Sequence, residues 1–195
     1  MRCALRAPAG AMQCGACLRD PPPFERTVAA VDYTHPWDRL IAGYKFHQAL
    51  DLAPAFAACM FEALQRSGTA RPDLLLPVPL SESRLRERGY NQAWELTRRL
   101  GRALHHPADA QLLLRVKDSQ HQAALPLAQR AAHVRGAFAV EPRRRRELQG
   151  REIALIDDVM TTGATAAEVS RVLLQAGAAR VQLWVLARTP RPEDR

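Results

Sequence analysis

Lysine is nearly absent from this chain. Only Lys45 and Lys117 occur among 28 basic residues, so arginine carries almost all the positive charge. Long apolar runs are absent too. None approaches the ~20 residues that a bilayer-spanning helix needs, so no membrane span is expected. The N-terminus has no long apolar stretch of the secretory kind, and a cytoplasmic location is expected. Aromatic residues make up 6% of the chain, and no aromatic ladder accompanies the arginines. Base stacking along a nucleic-acid strand is therefore poorly supported. Cysteine is scarce, at four residues, and structural disulfides are not expected in a reducing compartment.

What remains is an ordinary globular composition. Apolar residues are 47% and charged residues 25% of 195, which excludes wholesale disorder and is enough for one real core. The formal net charge is +8. The planar fork of arginine suits phosphate. A polyanionic or phosphorylated partner accounts for this balance; so does a coding bias that turns lysine into arginine.

Cys14-Gly15-Ala16-Cys17 is a C-x-x-C pair, which means half a zinc site or a redox motif. The Pro21-Pro22-Pro23 run argues against a helix after it, which favours the zinc knuckle. Cys3 supplies a third ligand. Tetrahedral zinc needs a fourth, but Arg6 stands where a second C-x-x-C would be completed. His35 is a substitute with no spacing argument behind it. Cys59 falls in a helical pattern and reads as a buried small hydrophobe. Residues 1–23 are expected to form a Cys-containing, degenerate finger-like segment, and residues 24–195 the main domain.

Along that domain strands alternate with helices. Strands are expected at 27–33, 74–80, 112–116, 137–140, 153–156 and 181–187. Helices are expected starting at His35-Pro36-Trp37-Asp38 and running through Leu40, Ile41, Tyr44 and Phe46, over 52–64, and over 92–104 with Leu96, Leu100 and Leu104 on one face. Others are expected over 126–132 and 166–176, the last closed by Gly177. Pro79 is expected to end its strand by removing a ladder donor. Arg143 to Arg146 read as a solvated turn. The alternation points to an α/β fold with a parallel twisted sheet.

The informative segment runs Ile153-Ala154-Leu155-Ile156-Asp157-Asp158-Val159-Met160-Thr161-Thr162-Gly163-Ala164-Thr165. An apolar strand delivers two carboxylates at its carboxyl end, where α/β proteins bind ligands. Thr161 to Thr165 then lead into a helix whose first N–H groups and dipole favour an anion. Gly163 lets the backbone curl around it. The loop is a cradle for one phosphate. The carboxylates beside it suit neutral hydroxyls, so a ribose 5-phosphate satisfies both. A strand-end Asp also serves as a helix cap, and a tandem Asp also suits Mg²⁺ in a phosphotransfer domain.

This string resembles the phosphoribosyl pyrophosphate (PRPP) signature of type I phosphoribosyltransferases. The wider chain resembles the ComF family, through Cys14 to Cys17, Tyr44-Lys45-Phe46, Pro77-Val78-Pro79-Leu80, Arg84, Arg88-Gly89-Tyr90-Asn91-Gln92, Arg115, Gln122, Leu125, Arg130 and Ala137-Phe138. The resemblance implies a type I phosphoribosyltransferase sheet. It implies that Asp157 and Asp158 hold the ribose 2- and 3-hydroxyls, and that Thr161, Thr162, Gly163, Ala164 and Thr165 hold the 5-phosphate. Arg84 and Arg88 would face the pyrophosphate. A flap over 115–122 would present Arg115 and Lys117, and Mg²⁺ would arrive with the PRPP. Zinc at Cys3, Cys14 and Cys17 would lack a ligand because of Arg6, and His133 departs from the asparagine usual before Val134. The implied functions are phosphoribosyl transfer to an unidentified nitrogen acceptor, PRPP or nucleotide sensing without catalysis, or an accessory role in competence. The corresponding partners are PRPP or a related ribose phosphate, DNA-uptake proteins or single-stranded DNA, and a second copy of the chain.

Overall fold

Two runs of apolar residues, at 153–156 and 181–187, lie side by side at the centre of the molecule because both of their faces are covered. The computed structural model describes residues 2–5, 13–117 and 134–191. In chain order the elements are α1 (Gly15–Arg19), β1 (Thr27–Asp32), α2 (Trp37–Phe46), α3 (Ala53–Ser67), β2 (Leu74–Pro77), α4 (Glu82–Arg88), α5 (Gln92–Leu104), β3 (Leu113–Arg115), β4 (Phe138–Val140), β5 (Glu152–Met160), α6 (Ala164–Gln175) and β6 (Arg180–Arg188). The main sheet is four-stranded and parallel, in the order β1-β6-β5-β2. β3 and β4 are not part of it; they form a separate antiparallel pair. The helix expected over 126–132 lies outside the described residues, as do Arg6, Gln122, Leu125, Arg130 and His133.

Period-two alternation sorts the sheet's side chains into two cores. Ala154, Ile156, Trp184 and Leu186 pack with Ile41 and Tyr44 of α2, Phe56 and Met60 of α3, and Leu96 and Leu100 of α5. Ile153, Leu155, Leu183 and Val185 pack on the opposite face with Val169 and Leu173 of α6, with Phe138, and with Cys3, Cys14 and Cys17. The N-terminal cysteines are therefore part of the α6-side core.

Several expectations need correction. Leu40 and Phe46 are exposed, so α2 buries only Ile41 and Tyr44. Its inward stripe is one turn narrower than the apolar spacing suggests. A helical turn does form at Gly15–Arg19 with Cys14 as its N-cap, and the prolines only stop it afterwards. Cys59 is partly exposed rather than buried. Pro79 does not cost β5 a donor. Val78 N–H donates to Ile156 O, whereas Leu75 N–H points the other way, to Pro107 O. Pro77 and Pro79 share the Leu75 side, so their missing N–H groups face away from β5. Gly177 closes α6 as expected, with φ at 111°. The arginine run forms a short 3₁₀ turn over Pro142–Leu148. Among the described residues, no helix is long and apolar enough to cross a membrane.

Candidate functional site

The β2–β5 ladder stops at Pro77–Ile156, but the β5–β6 ladder continues to Met160–Arg188. β5 therefore overhangs β2, and the overhang carries Asp157 and Asp158. The acidic pair lies within the strand, not beyond its end as the sequence suggests. Alternation starts the two side chains from opposite faces, but at the open edge of the overhang the carboxyls meet: Asp157 Oδ1 accepts from Asp158 N–H at 2.9 Å, and the Asp157 carboxyl is also in contact with the Asp158 side chain.

Asp157 is on the α6 side. With Thr161 to Thr165, Leu183 and Val185 it lines a recess of about 40 Å³. Gly163 caps α6 in the left-handed region at φ 83°, and Thr162 Oγ1 accepts from Ala164 N–H at 3.3 Å. A Cβ on Gly163 would stand 2.6 Å from Met160 Cε. Thr161 and Thr162 are exposed, so the loop opens to solvent. Beyond Ala164, the first-turn N–H groups of Thr165 and Ala166 fall where a helix offers no carbonyl four residues back, which suits an anion. Burial, and then the neighbouring Asp158 charge, push the Asp157 carboxyl up to about 7, against the opposing pull of Lys45.

Asp158 is 3% exposed and faces α2. Lys45 Nζ is 3.0 Å from its Oδ1, which also accepts from Val159 N–H at 2.6 Å. Its Oδ2 is buried and, among the described residues, has no hydrogen-bond partner. The same holds for Arg88 Nε, at the end of α4. Burial lowers the Arg88 guanidinium from its usual value, and the Asp158 charge opposes that shift. The guanidinium carbon sits 4.9 Å from the Phe46 ring centroid. Tyr44 OH donates to Gln92 O at 2.9 Å, and Tyr90 OH donates to Tyr44 O, which ties α2 to α5 beside this cluster. Two buried polar atoms without partners, on a cation and an anion at one strand end, are what a polar ligand would satisfy.

Arg84 is exposed on α4, one turn before Arg88. Arg115 and Lys117 lie on the α6 side instead. Arg115 stacks over Phe138 at 5.4 Å, and the position of a Cβ on Gly136 is 3.3 Å from Lys117 Nζ. The rest of the expected flap lies outside the described residues. Sequence reasoning singles out Lys45 only within the family-like segment Tyr44-Lys45-Phe46 and gives it no role at the site. In a chain that writes nearly every cation as arginine, a retained lysine is itself a signal, because a compact ammonium fits where a guanidinium does not.

The three N-terminal thiols converge as expected. Cys3, Cys14 and Cys17 are buried with their sulfurs all within 4.8 Å of one another. Zinc–thiolate bonds of about 2.3 Å place tetrahedral sulfurs roughly 3.8 Å apart, so the donor set fits zinc, with three ligands among the described residues. Burial would raise the Cys14 thiol, but hydrogen bonds from the Cys17 backbone, from the Cys3 and Cys17 side chains and from the Ala16 backbone bring it down to about 7. Burial and then contact with Cys3 and Cys14 push Cys17 up to about 12. His35 is exposed and does not join the cluster.

No family model matches the chain. DNA utilization protein YhgH of Escherichia coli strain K12 is 36% identical over 192 residues, covering 96% of this chain and 83% of that protein. Competence protein F of Haemophilus influenzae is 33% identical over 91% of this chain and 79% of its own length. Competence protein ComFC of Bacillus subtilis is 28% identical over 88% of this chain and 68% of its own length. A solved glutamine PRPP amidotransferase from B. subtilis, complexed with ADP and GMP, superposes with a TM-score of 0.48 at 17% identity. That likeness spans 74% of this chain and 30% of the other. By its identity to these proteins over nearly all of its length, the chain belongs to the ComF family of competence protein F and DNA utilization protein YhgH.

Proposed function

We propose that the chain binds PRPP with Mg²⁺ at the end of β5, through residues 24–195, with residues 1–23 as a Cys-containing N-terminal segment packed on that domain. The observation that carries this reading is the junction of a left-handed Gly163 phosphate loop with two carboxylates on one strand. The 5-phosphate lies on the first turn of α6 and the hydroxyls of Thr161, Thr162 and Thr165. Asp157 and Asp158 accept the ribose hydroxyls, and the Oδ2 of Asp158 gains the partner it lacks. Arg88, aided by Arg84, faces the pyrophosphate, and Arg115 and Lys117 approach it from the flap side. The hard oxygen donors of the strand end fit Mg²⁺, which would neutralise pyrophosphate charge when bound.

If the chain transfers the phosphoribosyl group, the bond from C1 to pyrophosphate breaks as a nitrogen acceptor attacks C1. Asp157 and Asp158 then stabilise positive charge developing on the sugar. The decisive experiment is calorimetric titration of PRPP with Mg²⁺ into the wild type and into Asp157→Asn/Asp158→Asn. Saturable binding that weakens at least about tenfold, or ~1.4 kcal/mol, in the double variant is expected. No binding at millimolar PRPP overturns the assignment. Release of pyrophosphate with one nitrogen base and not with others would identify transfer rather than sensing.

A second reading, contact with single-stranded DNA, is favoured by a separate groove of about 490 Å³ lined by Trp94, Arg98, Arg102, His105 and His106. Trp94, Arg98 and Arg102 follow one another at four-residue steps on α5, so they share a face. The names of the E. coli, H. influenzae and B. subtilis relatives agree with a role around DNA. Fluorescence anisotropy with a labelled oligothymidylate tests it. Binding that falls steeply with salt and is lost in Trp94→Ala/Arg102→Ala supports this reading; binding unchanged in that variant rules out the groove.

A further inference from the structure

Arg188 closes β6, and it is only 5% exposed. A buried guanidinium must find acceptors for its donors, and this one finds them in two parts of the molecule at once. Its Nε donates to Cys3 O at 2.9 Å. One terminal nitrogen, Nη1, shares its two hydrogens among Met160 O at 2.9 Å, Thr161 O, and Thr189 O at 2.9 Å. Cys3 belongs to the three-thiol cluster. Met160 and Thr161 are the residues at which β5 turns into the phosphate loop. One rigid, planar group thus spans the thiol cluster and the base of the loop.

Further contacts make the link stiff. Thr189 N–H donates to Met160 O at 3.0 Å, so the ends of β6 and β5 are already joined where the guanidinium sits. Thr27 Oγ1 donates to Arg2 O at 2.8 Å, which fixes the residue before Cys3 onto β1. Met160 also touches the position that a Gly163 side chain would occupy. A shift of Cys3 therefore moves the Arg188 fork, and with it the carbonyls that set the path of residues 160–163.

We propose that Arg188 is a positioning residue that couples the thiol cluster of Cys3, Cys14 and Cys17 to the phosphate loop, so that an intact cluster tightens binding of a sugar phosphate. This rests on the assignment of Thr161 to Thr165 as a phosphate loop. The partner it regulates is the phosphate end of the ligand, not the pyrophosphate end, because Arg188 touches only the α6-side loop.

A double-mutant cycle on the full chain tests the coupling, with PRPP and Mg²⁺ as the titrant and Cys14→Ser/Cys17→Ser and Arg188→Lys as the changes. Lysine keeps the charge but loses the fork that reaches both sides. With Arg188 in place the cysteine substitutions are expected to weaken binding by about fivefold or more, and in the Arg188→Lys variant by less than about twofold. Equal losses in both backgrounds, in variants that remain folded by circular dichroism, overturn the proposal. A purely structural arginine would lower the unfolding midpoint without this non-additivity.

Amide hydrogen exchange at Thr161, Thr162 and Gly163 gives a readout without ligand. Exchange there is expected to quicken by about fivefold on loss of the two cysteines, and to stop responding to them once Arg188 is replaced. If the wild type binds no PRPP, the phosphate-loop assignment fails while the exchange measurement still decides the coupling. If a cysteine variant does not fold, exchange at these amides in Arg188→Lys alone decides it. Amides as protected as in the wild type would overturn the link.

Discussion

Lys45 and Asp158 meet at 3.0 Å between α2 and β5, with the ammonium side chain 19% and the carboxylate 4% exposed. The pair occupies the face of β5 opposite the one from which the Asp157 side chain starts. The ammonium pairs with Asp158 directly and also pulls on the neighbouring Asp157, which lies beside the turn into α6. Removing the ammonium leaves a buried anion unpaired. Lys45→Met is expected to cost about 2–4 kcal/mol in urea unfolding, and Lys45→Met/Asp158→Asn to recover most of that. Equal stability of the single and double variants would show that the pair is solvated.

Asp157 carries a pH prediction. Its carboxyl is raised to about 7 by burial and by Asp158. A carboxyl that is easier to protonate when folded than when unfolded contributes stability at acid pH and loses it as pH rises through the folded value. Asp157→Asn is therefore expected to raise the unfolding midpoint by roughly 2–4 °C at pH 8 and to change it little near pH 4. Asparagine can still accept the Asp158 N–H that Asp157 Oδ1 takes at 2.9 Å. A pH-independent difference between variant and wild type would contradict the shift. On the proposed function, PRPP affinity rises across the same interval as the carboxylate ionises.

Gly163→Ala tests the loop. At φ 83° a Cβ costs about 1–2 kcal/mol, and it also meets the Met160 methyl. The methyl can swing aside, so the backbone term dominates. Stability is expected to fall by about 1–2 kcal/mol, with PRPP affinity falling by about tenfold or more because the loop itself opens. A loss of stability with unchanged affinity would separate the glycine from the ligand.

For the thiol cluster, native mass spectrometry of protein purified without chelator is expected to show one zinc ion per chain, lost in Cys14→Ser/Cys17→Ser. Metal-free protein whose three thiols titrate freely would remove zinc from the description.

The β5–α6–β6 unit is legible in the sequence because its signals are local. An apolar run, a helical period closed by Gly177 and a run of β-formers each define themselves within about ten residues. The turn from β5 into α6, with Gly163 as its left-handed cap, is legible for the same reason. What escapes are relations between distant residues. Asp157 and Asp158 look like a pair beyond a strand end; their place within the strand depends on β6 carrying the ladder past Ile156. Lys45 and Arg188 sit far along the chain from Asp158 and Cys3, and no periodicity announces such contacts. Pro77 and Pro79 read as breaks because the side on which Val78 bonds is set by tertiary pairing.

Those two prolines have a consequence for assembly. On the outer side of β2, Leu75 is already engaged by Pro107 and Asp109, and Pro77 and Pro79 offer no N–H to an incoming strand. That margin of the sheet cannot template a further chain. Recruitment by strand addition is left to β1 at the other margin. Two copies joined β1 to β1 would use the one open margin of each main sheet, so growth of the main sheet by this route halts at a closed pair.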